Sequence, residues 1–398
     1  MFSRRTDWKL ASNRFTLVHQ ELQRAGRAII DLTISNPTRA GVEYDKTAIL
    51  DALRNPQSLD YDPQPKGLRS TREAVAEYYK SIADISSPDH KKPVSNIDPE
   101  ALFLTTSTSE GYSYVFRLLC NPGAEVLVPK PSYPLFEFLA DLQDVKLVPY
   151  PLLYDHGWQI DWPSLEQASG EKTRAVLLVN PNNPTGSYVS EEERRRLNEF
   201  CARRGLALVV DEVFFDYSHD GQSRPSFAFN DAVLTFTLSG LSKISALPQM
   251  KLAWIALSGP QDDVCEALPR LEVISDTYLS LNAPVQLAAA VLLEQRKKIQ
   301  PQLMQRVRAN LAELDQQLLR QKSCARLAIE GGWYSVLRVP VTRTDEDLAI
   351  ELLDQCSVLV HPGHFYDFPS EGYLVLSLIT PEQEFGEGIS RLLGFIEQ

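Results

Sequence analysis

Apolar residues recur at helical spacing over residues 14–26, and the run closes on Gly26, a residue suited to a helix C-cap. The next apolar run, 29–34, reads as a strand and is broken by Ser35-Asn36-Pro37-Thr38. Tyr61-Asp62-Pro63-Gln64-Pro65-Lys66-Gly67 predicts a turn, residues 70–80 a helix, and the polar, proline-bearing stretch 81–98 a loop. From about residue 100 the rhythm becomes strand, turn, helix. Strands are expected over 102–104, 125–128, 145–148, 175–179, 206–210 and 232–237, with helices ending near Leu119 and spanning 190–204. The second of these helices carries Glu191, Glu192 and Glu193 in its first turn, where the helix dipole favours acids. Strands alternating with helices imply an α/β fold with a mostly parallel sheet between helices. Such sheets bind ligands at the carboxyl ends of their strands. After residue 280 the pattern changes. Residues 284–321 read as long and helical, and strands over 333–339 and 373–378 belong to a smaller α/β unit. The expected division is a large domain, 44–275, and a small domain built from 1–43 and 276–398.

Composition narrows the classes. A hydrophobic content of 43% and a charged content of 23% are ordinary for a soluble globular enzyme. The net charge of −12 argues against nucleic-acid and anionic-membrane partners, which call for clustered Lys and Arg. No apolar run approaches the length of a bilayer span. The first residues lack the apolar core of a signal peptide, and the 5 cysteines form no Cys-x-x-Cys, so a cytoplasmic location is expected. His361 and His364 flank Pro362-Gly363 without a carboxylate or thiolate partner, and no metal site is expected.

Four turns carry the chemistry. Lys243 sits in Leu238-Ser239-Gly240-Leu241-Ser242-Lys243, directly after an apolar strand, with a second cation, Lys251, further on. A desolvated lysine has a lowered pKa and becomes a nucleophilic amine. Thr105-Thr106-Ser107-Thr108-Ser109-Glu110-Gly111 opens a helix with hydroxyls and free N–H groups, an anion site. Asn180-Pro181-Asn182-Asn183-Pro184-Thr185-Gly186 is a stiff turn able to present the Asn183 amide to a ligand oxygen. Asp211-Glu212 ends the apolar strand 206–210, where a carboxylate is costly unless something positive faces it. Taken singly, each turn is equally compatible with simple capping or a tight bend.

In this order the motifs resemble the class I/II aminotransferases, pyridoxal-phosphate enzymes of fold type I. The resemblance extends to Asn121-Pro122-Gly123, Pro129-Lys130-Pro131-Ser132-Tyr133-Pro134 and Pro362-Gly363-x-Phe365. It implies that Lys243 binds pyridoxal 5'-phosphate covalently and shuttles the α-proton. Asp211 would keep the ring nitrogen protonated, Asn183 donate to the ring oxygen and Tyr133 stack on the ring. Thr108 and Ser109, with Ser239 or Ser242 and Lys251, would hold the phosphate. Tyr61 would reach the phosphate of a neighbouring subunit, implying a homodimer with shared sites. The implied reaction passes an amino group from an amino acid to a 2-oxo acid by a ping-pong mechanism. The alternatives are a lyase or decarboxylase of the same fold, or a non-catalytic regulator that binds the cofactor as a ligand.

Three positions depart from the family. Lys251 and Phe214 stand where arginine and tyrosine are usual, and Val375-Leu376-Ser377 replaces the Arg-x-Ser that holds the substrate carboxylate. That group would then be met by Ser35, Asn183 and Arg39, with Arg14 in reserve.

Overall fold

The structure is a computed structural model that describes the chain apart from Lys9, Ser12, residues 87–95 and Gln398. An eight-stranded sheet runs in the spatial order Leu102–Thr105, Ala253–Ser258, Thr235–Gly240, Ala207–Asp211, Thr173–Val179, Glu125–Lys130, Lys146–Tyr154, Trp158–Ile160. The strands from Thr235–Gly240 through Lys146–Tyr154 pair in parallel. Ala253–Ser258 and Trp158–Ile160 run against their neighbours. The mostly parallel sheet expected from the alternating pattern is therefore present. Ala207–Asp211 is buried along its whole length, which is why its sequence is apolar without alternation.

Both faces of the sheet are covered. Val126, Leu177, Val209 and Leu238 pack against the helices Thr108–Leu119 and Gln261–Asp276. The alternate residues Leu127, Leu178, Leu208 and Val210 meet Leu197 and Phe200 of the helix Glu191–Arg204. That helix opens with Ser190 as cap and Glu193 returning the bond, a full capping box.

A four-stranded antiparallel sheet follows in the order Ala325–Arg326, Tyr334–Arg338, Tyr373–Ser377, His361–Pro362. Phe15 and Leu32 from the start of the chain share its apolar core with Leu352, Leu376 and Phe385.

Local differences from the sequence pattern have physical causes. The strand expected over 29–34 shrinks to Ile30–Asp31, because the Asp31 carboxylate accepts from the Thr33 N–H and hydroxyl at 2.7 and 2.6 Å and turns the chain. The helix expected over 70–80 is Arg69–Ser86, so the loop expected over 81–98 begins as helix, and 87–95 lie outside the described residues. The long stretch 284–321 is two helices, Ala283–Glu294 and Arg296–Leu318. The first packs with Leu102 and Trp254 of the large sheet, the second with the small one. Among the described residues no helix is long and apolar enough to cross a membrane.

Candidate active site

Three parallel strands deliver the three residues on which the site is built. Asp211 ends its strand, Asn183 lies in the turn after Thr173–Val179, and Lys243 lies in the one-turn helix Leu241–Ile244 after Thr235–Gly240. They meet on a cavity of about 450 Å³, together with Ser35, Thr108, Ser109, Tyr133 and Ser242. Tyr112, Phe214, Tyr334, His361 and Tyr366 complete much of its wall.

Asp211 and Lys243 set the electrostatics. The Asp211 carboxylate accepts from the Tyr112 hydroxyl at 2.9 Å and from the Val213 N–H at 3.0 Å. Burial raises its carboxyl to about 6, against the opposing pull of these two bonds and of Lys243. Burial lowers the Lys243 amine to about 8, with the Asp211 charge working the other way. Its Nζ lies 4.8 Å from the centre of the Trp333 ring and 5.3 Å from that of Phe214, and donates to the Ser35 carbonyl at 3.4 Å. The turn that carries it is held through its carbonyls. Tyr217 donates to Lys243 O at 2.7 Å, Gln300 to Ile244 O at 2.9 Å and Tyr44 to Ala246 O at 2.7 Å.

Another part of the wall suits an anion. Ser107 caps the helix Thr108–Leu119 through the Glu110 N–H, and the N–H groups of Thr108 and Ser109 have no backbone partner among the described residues. Gly111 lets this helix come close to the strand leading to Lys243, since a Cβ there would lie 2.7 Å from Leu238 Cδ2. Ser242 joins the same wall.

The Asn183 turn is locked from behind. Asn182 donates to Pro131 O at 3.0 Å, and Asn180 to Glu212 Oε1 at 3.3 Å. Gly186 has φ +69°, and a Cβ on it would lie 2.5 Å from Gly331 O. Asn183 itself is 8% exposed and its Oδ1 has no partner. A buried amide left unpaired points to a group that binds there.

The remaining predicted residues lie elsewhere. Ser239 is buried and donates to Glu212 O at 3.3 Å, off the cavity wall. Lys251 is exposed, with φ +53°. Tyr61 is 81% exposed and borders a separate hollow of about 340 Å³. Arg39 is exposed on the one-turn helix Pro37–Arg39, outside the wall, and Arg14 pairs with Asp347. Tyr112, Tyr334 and Tyr366 were not singled out from sequence, and His361 only as a poor metal ligand. Tyr112 alone had a local signal, one helical turn beyond Thr108 and hence on the same face. Among the described residues no cluster could hold a metal.

These donors fit pyridoxal phosphate. A buried carboxylate awaits a cationic ring nitrogen, a depressed amine awaits an aldehyde, a helix N-terminus awaits a phosphate, and the Asn183 side chain on the same wall has an amide nitrogen able to donate to the ring oxygen.

Comparison with known proteins agrees. Residues 27–392 match the family described as aminotransferase class I and II. The chain is 27% identical to the glutamate-pyruvate aminotransferase AlaA of Haemophilus influenzae, over 95% of this chain and 94% of that one. It is 26% identical to an alanine aminotransferase of Mycobacterium bovis, over 95% and 89%. Its fold matches an alanine aminotransferase structure from Pyrococcus furiosus with a TM-score of 0.88, at 22% identity and 100% coverage of both chains. The chain belongs to the class I and II aminotransferases and is a pyridoxal-phosphate-dependent transaminase.

Proposed function

We propose that this transaminase takes the amino group of alanine or glutamate and passes it to a 2-oxo acid such as pyruvate, using one cavity for both half-reactions. The choice of substrates rests on the names of its relatives. The observation that carries the site is the pairing of a buried carboxylate, Asp211, with a depressed amine, Lys243, on the wall of one cavity.

When bound, pyridoxal phosphate supplies the electron sink for the pair left on the substrate's α-carbon. Every other part falls to side chains of this chain. Lys243 would hold the cofactor through its Nζ, and the same amine is placed on the cavity wall to take and return the α-proton. Asp211, kept in place by Tyr112 and the Val213 N–H, would hold the proton on the ring nitrogen. The Asn183 amide nitrogen would donate to the ring oxygen, Tyr133 would lie against the ring, and Thr108, Ser109 and Ser242 would hold the phosphate. Ser239 and Lys251, also expected at the phosphate, are not on the wall of this cavity.

The exposure of Tyr61, 81%, supports a homodimer in which it reaches the partner's phosphate. Five free thiols support a cytoplasmic location. The two-part domain division is also ours. The core that Phe15 and Leu32 share with the C-terminal sheet supports it, while Ala283–Glu294, packed on the large sheet, draws the break towards Gln295.

The test adds L-alanine or L-glutamate to holoenzyme without an acceptor. Stoichiometric pyridoxamine phosphate should accumulate, and pyruvate should reverse it. Product release with no pyridoxamine phosphate would indicate elimination or decarboxylation. Binding without turnover across a broad amino-acid screen would indicate a regulator.

A further inference from the structure

An α-amino acid in this cavity brings a carboxylate on the carbon that must react beside Lys243. Out of water, that carboxylate needs a cation or several donors. On the cavity wall Lys243 is engaged in the chemistry, Asp211 repels, and no arginine is present. Arg39 is exposed away from the wall and Arg14 is paired with Asp347. From this chain's own wall, only neutral donors can serve.

Strand register gathers two of them. Val375 lies opposite both Val336 and His361, and Ser377 lies opposite Tyr334. Directly paired residues and alternate residues along a strand share a face, so Tyr334, Val375 and His361 stand on one face of the small sheet. Tyr334 and His361 both reach the cavity wall, whereas Val375, 1% exposed between them, offers no polar atom. His361 Nδ1 is bonded to the Tyr366 hydroxyl at 3.1 Å, and Nε2 has no partner among the described residues. If Tyr366 donates to Nδ1, Nε2 carries the hydrogen and is a donor.

We propose that His361 and Tyr334 form the subsite for the substrate's α-carboxylate, the imidazole Nε2–H and the phenol O–H donating where Val375 cannot. The proposal rests on the reading of this protein as an amino-acid transaminase. Burial holds the His361 ring near 4, with Asp31 opposing, so it is a neutral donor at physiological pH. The Phe365 ring packs beside it and fixes its orientation.

The experiment uses holoenzyme and two amines that lack an α-hydrogen. These are 2-methylalanine, which has a carboxylate, and tert-butylamine, which has a methyl group there instead. Dissociation constants come from the absorbance change of the bound cofactor. Wild type should prefer 2-methylalanine. His361→Ala should weaken 2-methylalanine by about 10- to 100-fold, the worth of a hydrogen bond to a charged group. It should leave tert-butylamine within about twofold, as befits a lost carboxylate contact. Tyr334→Phe should shift the same ligand in the same direction, and His361→Gln, which keeps a donor, should recover part of the loss. If His361→Ala fails to retain cofactor, His361→Gln and Tyr334→Phe carry the test. Equal weakening of both ligands, no weakening of either, or a loss of 2-methylalanine confined to Arg39→Ala would each overturn the assignment. If wild type shows no preference yet still forms pyridoxamine phosphate from amino acids, the subsite alone fails. If no amino acid forms it, the transaminase reading fails.

Discussion

The amine of Lys243 should behave as a group titrating near 8 before any cofactor is attached. Burial lowers it from 10.5 to about 8, and the Asp211 carboxylate opposes the fall. At pH 7 an amine titrating at 8 is about one-tenth free, and one titrating at 10.5 only about 3 parts in 10,000, a difference of roughly 300-fold in nucleophile. The assay mixes apoprotein with excess pyridoxal phosphate from pH 6 to 10 and follows the visible absorbance of the covalent product. The rate constant should climb about tenfold per pH unit and level off near 8. Pyridoxal, which has no phosphate, serves as a control for titration of the phosphate itself. The sign of the Asp211 effect is a second handle. Its charge favours the ammonium form, so Asp211→Asn should move the break to lower pH. Because burial also raises Asp211 to about 6, the two profiles should converge below that pH, where the wild-type carboxyl is neutral as well. A rate that climbs without a break to pH 10 would refute the desolvated amine. A break that moves upward in Asp211→Asn would refute the electrostatic coupling.

Three further outcomes are expected. Asp211→Asn should keep cofactor but cut turnover by at least about 10²–10³-fold, the range for losing a group aimed at developing charge, and steady-state rates of the loaded variant check it. Tyr61→Phe and Lys243→Ala should each be impaired alone, but mixed and reassociated they should regain activity, because one site of the mixed dimer has both intact residues; no gain on mixing would remove Tyr61 from a shared site. Glu212, fully buried with Ser226, Phe227 and Asn180 as donors, is raised by burial to about 7. The folded state therefore binds a proton the unfolded state releases above about 4.5. Its contribution is present below that pH and is lost as pH rises towards 7, by up to about 3 kcal/mol. In urea titrations Glu212→Gln should flatten this fall relative to wild type, and parallel profiles would count against a raised Glu212.

Residues that announced themselves in the sequence did so by breaking a local pattern. Asp211 ends an unbroken apolar strand, and Lys243 follows another through small and hydroxylated residues. A charge at the mouth of a buried strand is conspicuous because it is costly there. The residues that stayed hidden reach the site through pairings with no local trace. Tyr112 meets Asp211 across 99 positions, and His361 and Tyr334 come together only through the register of Tyr373–Ser377. Arg39 shows the converse. It is close to Ser35 in sequence, yet the one-turn helix Pro37–Arg39 leaves it exposed off the wall. The break at Gln295 was equally invisible, since the helices on either side share a composition rich in Leu, Ala and Gln. Tyr217 is hidden in the same way, its hydroxyl reaching the Lys243 carbonyl across 26 positions.

Tyr112 offers the sharpest check on how the site is tuned. Its hydroxyl, buried and raised well above its ordinary value, is the side-chain donor to Asp211, and it restrains the upward shift that burial imposes. Tyr112→Phe removes the donor and leaves the packing against Phe116 and Phe136 in place. A hydrogen bond to a charged group is worth about 1.5–3 kcal/mol, so protonation of Asp211 should become roughly 10- to 100-fold easier. In the apoprotein the carboxyl would then be largely neutral at pH 7, where wild type, near 6, is mostly ionised. Relative to wild type at the same pH, affinity for pyridoxal phosphate should weaken at pH 7 and recover towards pH 9, the ratio cancelling the titration of Lys243 that both proteins share. The measurement is equilibrium dialysis of cofactor at both pH values. A loss of equal size at pH 7 and pH 9 would mean that Tyr112 only packs, and that the charge on Asp211 is set by its burial and the Val213 N–H.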